Sequence, residues 1–189
     1  MSKTLKVCAG IMVLIYVVIL GTLIKHRYMM PKKPLTNQEI QQVFNNLTKY
    51  LGITFLPTLV IARNDNTINA VTDEDSLTIT IYGGMINIIY TKDEMAAVLA
   101  HELGHAMMQD QYLSKAANNS DAMQTIVEGN ADKYSTYLVL RAGYDVCQMQ
   151  NIWRRFRRIY GDYETNEDHP NHSYRTWQLE FPECSRSYY

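Results

Sequence analysis

His101-Glu102-Leu103-Gly104-His105 is the segment whose residue types and spacing could do chemistry. Residues four apart share one face of a helix, so the His101 and His105 imidazoles can reach one ion. The Glu102 carboxylate then sits beside that ion and can take a proton from an attacking water instead of ligating. Zinc suits this work because it lowers the pKa of a water to roughly 7 when one coordination position stays open. A catalytic zinc needs a third protein ligand. The run Glu128-Gly129-Asn130-Ala131-Asp132 supplies a candidate, since Glu128 and Asp132 again share a helix face. Glu128 can ligate, and Asp132 can accept a hydrogen bond from a ligand imidazole and fix its tautomer. Gly129 and Ala131 are small, as a close helix–helix approach around an ion requires. The bland readings are two satisfied helix histidines and a solvated acidic helix face.

Several elements must position these groups. Thr91-x-x-Glu94 reads as a capping box that opens a helix through 101–105 to about residue 110. Asp121 can cap a second helix that carries Glu128 and Asp132 to about Arg141, with Gly143 as its stop. Asp145 can cap another, through about Tyr160. Upstream, Thr36-x-x-Glu39 is a capping box, followed at helical spacing by Ile40, Val43, Phe44, Leu47 and Leu51, with Gly52 ending the helix. Residues 53–90 change period. The runs FLPTLVIA, TINAV and LTITIYGGMINII are strand-rich, with turns expected at 63–66 and 72–75. A polar loop over 111–120, an acidic loop over 161–168 and a short helix from about Ser173 complete the chain. Helix, strands, then helices predict an α+β fold with one small antiparallel sheet.

Charge is unevenly distributed. Residues 1–33 carry six Lys/Arg and no Asp or Glu; the remainder carries twelve against nineteen. An acidic body argues against nucleic acid as a partner. Residues 7–24 hold no charge, and as a helix they span roughly 27 Å, close to a hydrocarbon core. Basic residues flank both ends. The domain plan is therefore a signal anchor over 1–28, a linker over 29–35 and one catalytic domain over 36–189. A cleaved signal peptide is the rival reading, but the apolar run exceeds the usual length and no A-x-A site follows it. Two Lys precede the span and four Lys/Arg follow it, which favours a cytoplasmic body. Cys147 and Cys184 lean the other way, because an exported domain could join them in a disulfide. Two unrelated buried thiols are the alternative. Arg154, Arg155, Arg157 and Arg158 read as a solvated helix face paired with the acidic loop, or else as a contact for anionic lipid or an acidic partner.

More elements stand in a recognisable order: Ile68-Asn69-Ala70, Gly83-Gly84-Met85, Asp93 to Ala100 leading into His101–His105, Glu128 to Asp132, Ala142 to Asp145, and His169-Pro170 with Arg175 six residues after the His. The chain resembles the membrane-associated zinc metallopeptidases of family forty-eight, the gluzincins that include HtpX-like, BepA-like and CAAX-prenyl-protease-like enzymes. The resemblance covers about residues 36–182 and implies a zincin-like domain holding one Zn2+. It assigns His101, His105 and Glu128 as metal ligands, Glu102 as general base and then proton donor, and Asp132 as the residue that orients a ligand histidine, with His101 the one expected. His169 would cap a resting site or stabilise the oxyanion, with His172 a second candidate, and Arg175 would anchor its loop or assist. The strand of Leu77, Thr78, Ile79, Thr80, Ile81 and Tyr82 would be the exposed edge that holds an extended, unfolded peptide substrate. The function so implied is a single-pass, membrane-anchored zinc endopeptidase in envelope protein quality control, with its catalytic domain in the bacterial periplasm. Two other functions compete with it. One is a non-catalytic or latent zincin acting as a chaperone-like binding module. The other is a cytosolic peptidase of the phage-repressor-cleaving type, against which the apolar span and the HP-x4-R element count.

Overall fold

In the computed structural model the described residues are 33–53, 55–108, 121–160 and Cys184, with only the backbone described for 121–124. All but Lys33 belong to one compact unit, Pro34–Tyr189. The predicted span 7–24, the loops 111–120 and 161–168, His169, His172, Arg175 and the helix from Ser173 lie outside the described residues. Among the described residues no helix is long and apolar enough to cross a membrane.

The elements run α1 (Asn37–Thr48), β1 (Thr58–Ala62), β2 (Ala70–Asp73), β3 (Thr78–Tyr82), α2 (Gly83–Ile88), α3 (Lys92–Met108), α4 (Asp121–Arg141) and α5 (Cys147–Tyr160). Local chemistry accounts for most of their ends. At α1, the Glu39 N–H donates to Thr36 Oγ1 (3.2 Å) and the Thr36 N–H donates to Glu39 Oε2 (2.9 Å), which is the reciprocal box expected there. Its apolar stripe, Ile40, Val43, Phe44 and Leu47, is buried. At α5, the Cys147 N–H donates to Asp145 Oδ1 (2.9 Å). Gly52 (φ +68°) and Gly143 (φ +78°) follow α1 and α4 in the left-handed region, where glycine avoids the Cβ penalty.

The sheet differs from the expectation. It is mixed, in the order β1-β3-β2, with β1 parallel and β2 antiparallel to β3. Thr78 to Tyr82 therefore form the central strand and not the exposed edge, and Leu77 precedes it with φ +49°. Alternation along 77–82 reports that one face is buried, as Ile79 and Ile81 are. It carries no information about which strand edges are paired. The edge strand that contacts α3 most is β2, and Thr72 belongs to it instead of to a turn. The turn comes one residue later: Asp73 Oδ1 accepts from the N–H groups of Asp75 (3.0 Å) and Ser76 (3.2 Å). Bonds from Ser76 hold the Asp73 carboxyl below the usual range. The run after β3 turns helical at once, and its first two residues, Gly83 and Gly84, lie against backbone. A Cβ on Gly83 would sit 2.1 Å from Arg63 O, and one on Gly84 2.2 Å from Asn66 O.

Helix α3 is buried on nearly every side, from Met95 through Leu103, which makes it the centre of the domain. It packs on α1, β2, α4 and α5. Its first turn departs from a full capping box. The Glu94 N–H donates to Thr91 Oγ1 (3.1 Å), but the Glu94 carboxylate accepts from the Tyr90 N–H (2.6 Å) and from Arg155 on α5. Arg155 Nη2 and Nη1 lie 2.6 and 3.0 Å from the two Glu94 oxygens, Nη1 also donates to Ile88 O (2.5 Å), and the guanidinium stacks 4.0 Å over Tyr90. Arg155 is thus a part-buried tie to a buried carboxylate and not part of a solvated basic face. Cys147 at the start of α5 is disulfide-bonded to Cys184. Breaking a buried pair strands the remaining charge. Arg155→Ala should lower the unfolding free energy by about 3 kcal/mol in guanidinium titration of the oxidised protein, with Arg155→Lys recovering part of the loss.

Candidate metal centre

Helices α3 and α4 supply the ligands, and their separation is set by two small residues. A Cβ on Gly104 would lie 2.9 Å from both Ala131 Cα and Ala131 O. Ala131 is the small residue expected at this approach, and its partner Gly104 lies inside the histidine motif. With the helices this close, His101, His105 and Glu128 converge, their potential ligand atoms all within 4.8 Å of one another. His101 Nε2 lies 3.0 Å from His105 Nε2 and 3.3 Å from Glu128 Oε2, and His105 Nε2 lies 3.3 Å from Glu128 Oε1. Donors bound at roughly 2.0–2.1 Å in a tetrahedron stand about 3.3 Å apart. The observed separations, those to Glu128 running to its two different oxygens, are of that order.

The far side of His101 is also specified. Its Nδ1 lies 3.0 Å from Asp132 Oδ1, so Nδ1 carries the proton and Nε2 turns a lone pair toward the ligand cluster. Trp153 on α5 meets the same imidazole in a T-shaped contact, with ring centroids 5.6 Å apart and planes at 76°. Trp153 in turn stacks on Phe156, and Phe156 on Tyr160. The Tyr160 hydroxyl donates to Ile68 O (3.1 Å), just ahead of β2. Partial desolvation holds the Tyr160 hydroxyl above its usual pKa.

The charge balance favours a cation. His101, Glu102, Glu128 and Asp132 are each at most 4% exposed. Two of these carboxylates, Glu128 and Asp132, contact the imidazoles, Glu102 follows His101 in the chain, and among the described residues no Lys or Arg is buried with them. Buried charge of one sign is costly without a compensating partner. A divalent ion between two nitrogens and a carboxylate oxygen would supply that partner.

Glu102 adjoins the ligands in sequence and is held from β2. The Thr72 hydroxyl on β2 lies 2.8 Å from Glu102 Oε2 and 2.9 Å from Glu102 O. Motif reasoning misses Thr72 and Trp153. For Trp153 the apolar stripe Met149, Ile152, Trp153, Phe156 announces burial but not the neighbour. For Thr72 no local signal exists, because the contact joins residues thirty apart.

The sequence model of peptidase family M48 matches residues 34–127. The chain belongs to that family and is a metallopeptidase. No curated protein matches it. The match includes His101, Glu102 and His105 and stops one residue before Glu128. The third ligand and Asp132 therefore rest on the geometry above.

A ligand that binds only the folded state stabilises it by about 2.7 kcal/mol at a hundredfold excess over its dissociation constant. Zinc should raise the unfolding midpoint of the wild-type chain and a chelator should lower it. Glu128→Ala should remove most of that response, and Gly104→Ala should weaken zinc binding by wedging α3 from α4; calorimetric zinc titration of the three proteins checks both.

Proposed function

We propose that this member of the family is a membrane-anchored zinc endopeptidase of the gluzincin type, acting on unfolded or misfolded proteins of the cell envelope. The observation that carries the reading is the convergence of His101, His105 and Glu128 beside a buried Glu102, with Asp132 behind the first ligand. Zinc held by those three residues would polarise a peptide carbonyl and lower the pKa of a water. Glu102 takes the proton of the attacking water and delivers it to the leaving amine nitrogen. Asp132 keeps the His101 proton on Nδ1 through both steps. Glu128 sets the negative charge of the ligand set without moving a proton. His169 and Arg175 stabilise the developing oxyanion, in the roles that the resemblance gives them.

The extended substrate pairs with the free edge of β2, one strand over from the strand first expected to hold it. β2 contacts the helix that carries Glu102, and among the described residues no strand pairs with its other edge. Main-chain pairing reads little of the side chains, which suits unfolded segments of varied sequence. Residues 7–24 tether the domain to the membrane. The Cys147–Cys184 bond supports an oxidising, exported location for it, against the leaning of the Lys/Arg count.

Two measurements test the reading. Glu102→Gln should keep its zinc and lose at least about a hundredfold in cleavage of an unfolded protein substrate. A variant that cleaves as well as wild type sinks the mechanism. Protease added to intact spheroplasts should digest the domain, and protection until lysis would place it in the cytoplasm.

A further inference from the structure

Strand β2 faces two ways at Thr72. The Tyr82 N–H donates to Asn69 O (3.2 Å), which makes residues 69 and 82 a hydrogen-bonding pair of the antiparallel ladder. Such pairs alternate with non-bonding ones along the strands. In the observed register, Val71 pairs with Thr80 and Asp73 with Thr78 as bonding partners. Ala70 opposite Ile81 and Thr72 opposite Ile79 are then the non-bonding pairs. Their N–H and C=O groups turn away from β3 to the free edge. Ala70 agrees, since its N–H is satisfied by Asn69 Oδ1 (2.9 Å) and not by β3. The main chain of Thr72 is thus presented at the open edge, while its side chain points inward to Glu102.

We infer that Thr72 is a positioning residue for Glu102: its hydroxyl holds the carboxylate while its own main chain presents the edge on which a peptide lies. The inference rests on the reading of Glu102 as proton carrier. The hydroxyl has one proton and two acceptors, Glu102 Oε2 at 2.8 Å and Glu102 O at 2.9 Å. Donation to Oε2 fixes one carboxylate oxygen and leaves Oε1 as the oxygen that accepts and releases the transferred proton. A carboxylate has free rotation about its terminal torsion unless something holds it. A peptide drawn against β2 presses on the residue that holds the base, so occupancy of the edge and alignment of Glu102 are set by one residue. Proton transfer depends on placement within hydrogen-bond reach, and small misplacements are costly.

The experiment compares full-length wild type, Thr72→Val, Thr72→Ser and Glu102→Gln. Valine keeps the shape and β-branching of threonine and removes the hydroxyl; serine keeps the hydroxyl. Thr72→Val should retain zinc and the wild-type melting midpoint, lose about tenfold in kcat and leave KM within about twofold. Thr72→Ser should restore most of the kcat. In crystals of the metal-free proteins the Glu102 carboxylate should keep one orientation in wild type and Thr72→Ser and leave it in Thr72→Val. A Thr72→Val protein with wild-type kcat overturns the inference, provided Glu102→Gln is inactive. A rise in KM alone also overturns it, since it would place Thr72 in peptide binding only. Failure of serine to restore kcat does the same, because the methyl group and not the hydroxyl would then matter. If Glu102→Gln itself cleaves normally, the reading of Glu102 fails first, and the metal-free crystals still decide whether Thr72 holds the carboxylate.

Discussion

The closeness of α3 and α4 at Gly104 and Ala131 is the constraint on which the rest of the site depends. A histidine and a glutamate reach only a few ångströms from their backbones, so ligands on two helices can share an ion only where the helices nearly touch. Gly104 lies between the two histidines of its own helix and faces Ala131, which lies between Glu128 and Asp132 on the other. Glycine within a helix costs about 1 kcal/mol relative to alanine. Here the loss is offset by a close approach that lets His101 and His105 meet Glu128 at 3.3 Å.

Other elements enclose this contact and limit how it can move. On one side β2 reaches Glu102 through Thr72. On another, α5 places Trp153 against the His101 ring and runs on through Phe156 and Tyr160 toward Ile68. The Glu94–Arg155 pair ties α5 to the first turn of the ligand helix, and the Cys147–Cys184 bond holds its start. One ligand imidazole is therefore held by a carboxylate behind it, an indole beside it and a second helix across from it.

Much of this arrangement is legible along the chain where the governing interactions are short-range. The box at Thr36 and Glu39 forms as written, the helices carrying the motif residues lie where their caps and periodicity place them, and Gly52 and Gly143 take the left-handed conformation. The box at Thr91 and Glu94 is half formed, because Arg155, sixty-one residues away, takes the Glu94 carboxylate. Misreadings gather in the sheet. Period alone reads Gly83 and Gly84 into a strand-rich run, whereas a helix opens at Gly83, the strand-to-helix turn that the resemblance implies. The strand of Thr78 to Tyr82 alternates as a half-buried strand should and is nonetheless central. Cysteine usage left the pairing of Cys147 and Cys184 open, and only their proximity decides it.

The sequence by itself determined the chemistry on each helix. The i, i+4 spacing of His101 with His105, and of Glu128 with Asp132, follows from helical geometry that any local stretch obeys. It also determined which residues would end helices and which faces would be apolar. Tertiary structure alone decided that β2 and not β3 is the edge beside the site and that Thr72 reaches Glu102, and it bears out the pairing of Asp132 with His101 that the resemblance implies. Those relations join residues tens of positions apart, and packing between elements sets them, which no local periodicity encodes.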